Sequence, residues 1–300
     1  MMKLIADSSA NLTMLEGVTY QSVPMTIRAG ERDFVDDETL DTHELLDYLA
    51  AHNGKSSTAC PSLDGWLKAF EGADEIFVIT ITSSLSGTCA SAMAARDVYL
   101  QSHPEVKIHI FDTLSTGPEM QLLAEKLAEL HAKGLPFDVV CEKAQEYLAT
   151  THLFFSLKSL HNLAQNGRVS KIAAGAIGIL GIQILATASL EGTIQPVEKC
   201  RGEKKTCAAM VQKLLEADYH GGKVRIHHAE NPEAAGALAA SLRGHFPEAD
   251  IEIRPCRGLC SYYAEGTGTV RHHHGADERC RGRDRGIETN PTNGMGAALQ

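Results

Sequence analysis

No Cys-x-x-Cys pair, no Gly-x-Gly-x-x-Gly after a strand-like run and no excess of positive charge occur in these 300 residues. Each absence removes a class of function. A net charge of -10 leaves no basic face for the phosphates of a nucleic acid, so DNA and RNA are excluded as partners and the charge reads as solubility. Without the glycine fingerprint there is no case for a dinucleotide enzyme, since Gly175, Gly178 and Gly181 sit inside an apolar run. The eight cysteines are scattered, and buried reduced thiols are expected of them rather than a disulfide framework. Met1-Met2-Lys3 runs straight into a short apolar strand with no secretion signal, so a cytoplasmic chain is expected. One uncharged stretch, Ile172 to Leu190, approaches the length of ~20 apolar residues that a bilayer requires. Its Gln183, Thr187 and Ser189, together with its glycines, favour a buried helix followed by a core strand over stable membrane insertion.

What is present is an alternation of strand-like and helix-like segments, the pattern of an α/β fold. Lys3–Ala6, Glu75–Ile81 and Val106–Phe111 are expected as buried strands. Helices are expected at Thr42–Ala51, Leu63–Phe70, Thr88–Leu100, Gln121–Ala132 and Phe137–Ala149. This half resembles a doubly wound parallel sheet. Beyond a boundary placed near residue 150, strands are expected at Leu153–Leu157, Thr193–Val197, Lys223–His228 and Ala249–Arg254. Helices near Lys158–Gln165, Lys204–Ala217 and Pro232–Arg243 separate them. The division is therefore an N-terminal α/β domain over 1–150, a second α/β domain over 151–265 and an atypical tail over 266–300.

Three polar loops carry the chemistry. Ser83-Ser84-Leu85-Ser86-Gly87-Thr88 follows a strand and opens a helix, where backbone N–H groups and the positive end of the helix dipole suit an anion. Helix capping alone is an equally good reading of its hydroxyls. Ser56-Ser57-Thr58-Ala59-Cys60-Pro61-Ser62 precedes the next helix signal and reads more readily as a cap than as a site. In Asn166-Gly167-Arg168-Val169-Ser170 the glycine ends a helix and displays an arginine, which is most often a solvated side chain. A serine hydrolase built on Ser86 is the rival from another class. The surroundings are not Gly-x-Ser-x-Gly, and no His/Asp pair is identifiable for it.

Taken in order and spacing, these segments resemble the DegV family over about residues 3 to 265. The resemblance is carried by Ala6-Asp7-Ser8-Ser9, by Thr58-Ala59-Cys60-Pro61-Ser62 and by Ser83 to Thr88. Leu160-His161-Asn162-Leu163 followed by Gly167-Arg168-Val169-Ser170, and Gly192-Thr193-Ile194 followed by Lys199-Cys200-Arg201-Gly202, complete it. It implies a two-domain fold with a long-chain fatty acid buried at the junction. It implies head-group contacts from Thr58, from Ser86 with the Gly87-Thr88 helix start, and from Arg168 nearby. It further implies no catalytic group, metal or cofactor in this chain. The partner implied is the catalytic subunit of a fatty acid kinase, which phosphorylates the presented carboxylate. The Ala-, Gly- and Ile-rich segment Ala173–Leu185 is the expected tunnel lining.

Three departures accompany the resemblance. Ile182-Gln183-Ile184 stands where many members read Ile-Lys-Pro. Gly258-Leu259-Cys260-Ser261-Tyr262-Tyr263 stands where many carry His-x-Gly-Pro-Gly. After Glu265 the chain is rich in Arg, Gly and His, without periodicity, so no closing strand is expected. A shifted reading frame and a disordered tail both explain that composition. A zinc site from His272-His273-His274 with Cys280 is set aside, because consecutive histidines rarely share a metal.

Overall fold

The computed structural model describes residues 1–169, 182–265 and, in backbone, 295–299. The chain begins with β1 (Met2–Asp7), a short 3-10 turn (Ser8–Ala10), β2 (Thr19–Val23), β3 (Thr26–Ala29), β4 (Arg32–Val35) and α1 (Thr42–Ala51). It continues with β5 (Ser56–Ala59), α2 (Leu63–Phe70), β6 (Glu75–Thr80), α3 (Thr88–Ser102) and β7 (Lys107–Asp112). Next come α4 (Pro118–Ala132), α5 (Phe137–Leu148), β8 (His152–Leu157), α6 (His161–Gln165), β9 (Ile182–Ala188) and β10 (Ile194–Arg201). The remainder is α7 (Glu203–Glu216), β11 (Lys223–His228), α8 (Pro232–His245), β12 (Asp250–Pro255), α9 (Gly258–Ala264) and β13 (Met295–Leu299).

The first sheet is parallel throughout, in the order β2-β1-β6-β7. All six residues of β1 are buried, because helices cover both faces. Leu4, Ala6, Phe77 and Ile79 pack against Met120, Leu123 and Leu127 of α4 and Val140 of α5. Ile5, Ile76 and Val78 face the other way, against Trp66 and Phe70 of α2 and Ala92 and Ala95 of α3. This is the doubly wound arrangement expected of an α/β chain. Helix starts follow their caps: Asp41 accepts from the His43 and Glu44 amides, and the Ser62 hydroxyl accepts from Gly65 N at 3.1 Å.

The second sheet has the order β10-β9-β8-β13-β11-β12, antiparallel except for the β11/β12 pair. Its strands alternate as the pleat demands. Phe154, Val224 and Ile226 point into a core with Met210 and Leu214 of α7 and Leu238 and Leu242 of α8. Between them, Leu153 packs with Leu122 of α4, so α4 serves both sheets. A small antiparallel sheet, β4-β3-β5, packs Ile27 and Phe34 against Leu45 of α1 and Tyr262 of α9.

Two expectations need correction. Met295–Leu299 does form a strand, inserted between β8 and β11 and antiparallel to both, so the chain has a closing strand where none was expected. The short sequence Met-Gly-Ala-Ala-Leu has little periodicity, and its place is fixed by two neighbours already in position rather than by its own pattern. The helix expected at Lys158–Gln165 is only His161–Gln165. Of the uncharged run Ile172–Leu190, residues 182–188 are β9, and its earlier part, like the His272–His274 and Cys280 group, lies outside the described residues. Among the described residues no helix is long and apolar enough to cross a membrane, no cluster is suited to a metal, and the cysteines are free thiols.

Candidate ligand site

The polar turn after β1 anchors the site. Asp7 Oδ2 accepts from Ile81 N at 2.7 Å, and its other oxygen accepts from Ser9 N at 3.0 Å and from the Ser9 hydroxyl. This carboxyl is fully buried, and burial pushes it up to about 6 against the pull of those donors. Asp7 thus ties the end of β1 to the end of β6, where the sheet order reverses direction and α/β folds place their ligands. The Thr82–Thr88 loop leaves from that point. Thr82 N donates to Ser115 O at 2.9 Å, and Thr82 Oγ1 donates to Gly192 O at 2.9 Å, which joins the loop to the tip between β9 and β10.

An open cavity lies between these strand ends and one face of the second sheet. Its walls are mainly apolar: Met25, Ile81 and Leu85 on one side, Leu153, Phe155 and Leu157 of β8 and Ile194 of β10 on the other. The β8 side chains alternate, so the face opposite the Phe154 core is the one that lines the cavity. Among the described residues β9 contributes Ala188 to the lining. The described part of the expected lining segment, Ile182–Leu185, does not reach it, and 173–181 lie outside the described residues.

Thr58, Ser86 and Arg168 all line this cavity. Thr58 lies on β5, two residues before Cys60, whose sulfur is 3.7 Å from the Cβ position of Gly87. Ser91 Oγ also donates to Pro61 O at 2.9 Å, so the end of β5 and the start of α3 are held together. Arg168 follows α6 through a Schellman cap: Arg168 N donates to Leu163 O at 2.8 Å, Gly167 N to Ala164 O at 3.1 Å, and Gly167 has φ +74°. The guanidinium Nε then donates to Leu85 O at 3.1 Å and another nitrogen to Asn166 O, which places a cation directly beside the Ser86 loop. Gly87 and Thr88 are not part of the lining. Thr88 is buried, and its hydroxyl shares a 2.8 Å hydrogen bond with Ser86 Oγ, so its place is behind Ser86. Among the described residues Ser86 Oγ is bonded to Thr88 and to no histidine, which leaves a nucleophile there without a base.

Several lining residues were not anticipated. Tyr263 OH lies 2.9 Å from Thr58 Oγ1. Asn11, left-handed at φ 58°, donates through Nδ2 to His227 Nδ1 at 2.9 Å. That bond makes Nε2 the protonated nitrogen, donating to Gln121 Oε1 at 2.7 Å. Burial first, then the positive charge of Arg254, pushes His227 down to about 3, so the imidazole is neutral. Cys256 and Cys260 complete this polar corner.

The chain is similar in sequence and fold to several known proteins. The sequence model of a family described as "Uncharacterised protein, DegV family" matches residues 1–270. A DegV domain-containing protein of Streptococcus pneumoniae is 42% identical over 272 residues, covering 89% of this chain and 97% of the relative. A DegV family protein from Eubacterium eligens, solved loaded with heptadecanoic acid, superposes with a TM-score of 0.90 at 41% identity over 100% of this chain and 99% of that one. The fatty acid kinase (Fak) B3 protein of Streptococcus pneumoniae, loaded with linoleic acid, gives 0.89 at 37% identity over 100% and 99%. The family match spans the first sheet, every strand of the second except β13, and the loops that surround the cavity, and the chain belongs to the DegV family.

Proposed function

We propose that this protein binds one long-chain fatty acid, with the tail in the cavity and the carboxylate held by Thr58, Ser86 and Arg168. In this reading it presents that carboxylate to a separate kinase subunit, which converts it to an acyl phosphate. One observation carries the proposal: two hydroxyls and a guanidinium converge at a cavity whose walls are otherwise mainly apolar. A carboxylate leaving water needs such donors, and each buried acyl methylene contributes ~0.8 kcal/mol. A long tail therefore gains roughly 10 kcal/mol gross, and a modest head-group site suffices. The ligands of the two similar structures, heptadecanoic and linoleic acid, support the choice of ligand. The name of the second supports a kinase partner. In this proposal no residue of the chain acts as nucleophile, acid or base, and no metal or cofactor takes part.

Mass spectrometry of ligands extracted from natively purified protein should find about one fatty acid per chain. Thr58→Ala with Ser86→Ala should weaken binding, each losing a hydrogen bond to a charge worth ~1.5–3 kcal/mol, without unfolding the protein. Unchanged affinity in the double variant removes the head-group assignment.

A further inference from the structure

The Thr58 hydroxyl has one proton, and two groups compete for its direction: a ligand carboxylate in the cavity and the Tyr263 phenol, 2.9 Å away. Either oxygen can be the donor in the hydrogen bond between them. A carboxylate accepts only, so in the bound state Thr58 must turn its proton towards the ligand. Its oxygen is then free to accept, and the phenol O–H is positioned to donate to it. Donation into the Thr58 oxygen polarises its O–H and strengthens the outward hydrogen bond.

Tyr263 is built to hold that position. Its ring packs against three apolar clusters at once, the core of the first sheet, the one around Leu157 and Leu160, and the one around Ile27 and Tyr262. The helix that carries it is fixed at its start, where buried Asp36 accepts from Gly258 N at 2.8 Å and from Leu259 N at 2.9 Å. A side chain at Gly258 would put Cβ 2.4 Å from Leu40 and 2.8 Å from Asp36, so only glycine fits there. At the other end the Tyr262 hydroxyl bonds Ser56 Oγ at 2.8 Å and accepts from Asn166 Nδ2 at 2.8 Å. Asn162 Nδ2 donates to Tyr262 O at 2.8 Å. Adjacent tyrosines thus divide two tasks. Tyr262 locks α9 to β5 and to the turn before Arg168, while Tyr263 reaches the cavity.

We propose that Tyr263 is a positioning residue for carboxylate recognition: its hydroxyl donates to Thr58 Oγ1, which directs the Thr58 proton at the ligand's head group and makes the site prefer an acid over a neutral lipid. This rests on the fatty-acid reading given above and assigns a further residue to that site.

The test compares oleic acid with oleyl alcohol, which share a tail and differ in head-group charge. Tyr263→Phe removes only the hydroxyl. It should weaken oleic acid binding by about tenfold and leave oleyl alcohol nearly unchanged, because the strengthened bond is to a charge. Thr58→Ala should weaken the acid at least as much. Adding Tyr263→Phe to Thr58→Ala should change little further, since the phenol acts through Thr58. Tyr262→Phe is the structural control: it should lower the melting temperature without changing the acid-to-alcohol ratio. If Tyr263→Phe weakens both lipids equally, leaves both unchanged, or adds its full effect to that of Thr58→Ala, the relay is wrong. A Tyr263→Phe protein that fails to fold would overturn it as well, because the phenol would then be structural. Failure of the underlying reading looks different: the unaltered protein would not bind oleic acid, or Thr58→Ala would bind it normally.

Discussion

Glu125→Gln should cost about 3 kcal/mol of folding stability, because it takes from a buried arginine its two-pronged, buried partner. Glu125 on α4 and Arg225 on β11 form a two-pronged pair, Nε to Oε1 at 2.7 Å and Nη2 to Oε2 at 2.7 Å, with side chains only 6% (Arg225) and 13% (Glu125) exposed. Burial pushes the Glu125 carboxyl up, but the hydrogen bonds and charge of Arg225 more than offset this, and the net direction is down. Removing one partner of such a pair typically costs ~3–5 kcal/mol. The lower end applies here, because Arg225 keeps Asp250 at 3.0 Å and Glu252 at 3.5 Å. Asp250 is 59% exposed, so its contribution is screened to below about 1 kcal/mol. Replacing both partners, Glu125→Leu with Arg225→Met, should cost clearly less than the single change, since the two buried charges leave together, while Lys223 keeps Glu129, Glu252 keeps Arg254 and Asp250 is exposed to water. The sign with pH follows from the depressed carboxyl: its contribution is full above the ordinary glutamate value and is lost as pH falls through the folded value. Urea unfolding of the single and double variants from pH 7 down to pH 3 measures all of this. A loss below about 1 kcal/mol for Glu125→Gln, or a double variant as unstable as the sum of the singles, refutes the reasoning.

The other expectations are briefer. If the proposed function holds, Arg168→Ala should retain most of the bound lipid and lose far more acyl phosphate formation with a reconstituted kinase, because the cation would then stabilise charge that develops on phosphoryl transfer; complete loss of lipid with normal turnover per bound lipid refutes this. Asp7 titrates near 6 in the fold, above its ordinary value of 3.8, so the folded state holds that proton more tightly than the unfolded chain. Its contribution is full below about pH 4 and falls by about 3 kcal/mol as pH rises through 6, and Asp7→Asn should flatten that decline in a pH series of denaturant melts.

The sequence carried the elements whose signals are local. Glu75–Ile81 is a continuous apolar run because β6 is covered on both faces, and α1 and α2 begin at their expected residues because Asp41 and Ser62 cap them. The small sheet was missed because its strands are four residues long and β5 reads Ser-Ser-Thr-Ala, which has the look of a cap. Thr58, Ser86 and Arg168 were found as motifs, and the structure puts them on one cavity. Tyr263 and His227 were missed because their partners are distant in the chain: Thr58 is 205 positions from Tyr263, and Asn11 is 216 from His227. No periodicity reports such a pair. Arg168 was visible only as a cation after a glycine; its grip on Leu85 O, which links it to the Ser86 loop, needed the fold.

The closing strand offers the sharpest contrast between local signal and tertiary context, and it makes a prediction of its own. Met295–Leu299 pairs with Val224–His228 on one side and with His152–Ser156 on the other. A chain ending at Glu265 would divide the six-stranded sheet into β10-β9-β8 and β11-β12. Ordering five residues costs ~1–2 kcal/mol each, which offsets most of the ~1 kcal/mol gained per ladder hydrogen bond. The deciding quantity is what the deletion leaves behind. β8 and β11 would each expose a row of unpaired backbone groups, and those that stay away from water cost ~1–3 kcal/mol apiece. Two or three such groups give a loss of about 2–9 kcal/mol. The cavity should suffer with the sheet, because Leu153, Phe155 and His227 of its wall stand on these two strands. Urea unfolding of the truncated and full-length chains, with hydrogen exchange at residues 153–157 and 224–228, reads both effects. Sequencing across the codons for Gly266–Val270 accompanies it, since a base gained or lost there would mean that a different segment fills the slot, and the chain carrying that segment should then be the more stable. If the truncated chain matches the full-length one in stability, amide protection and lipid binding, β13 is not a working part of the sheet.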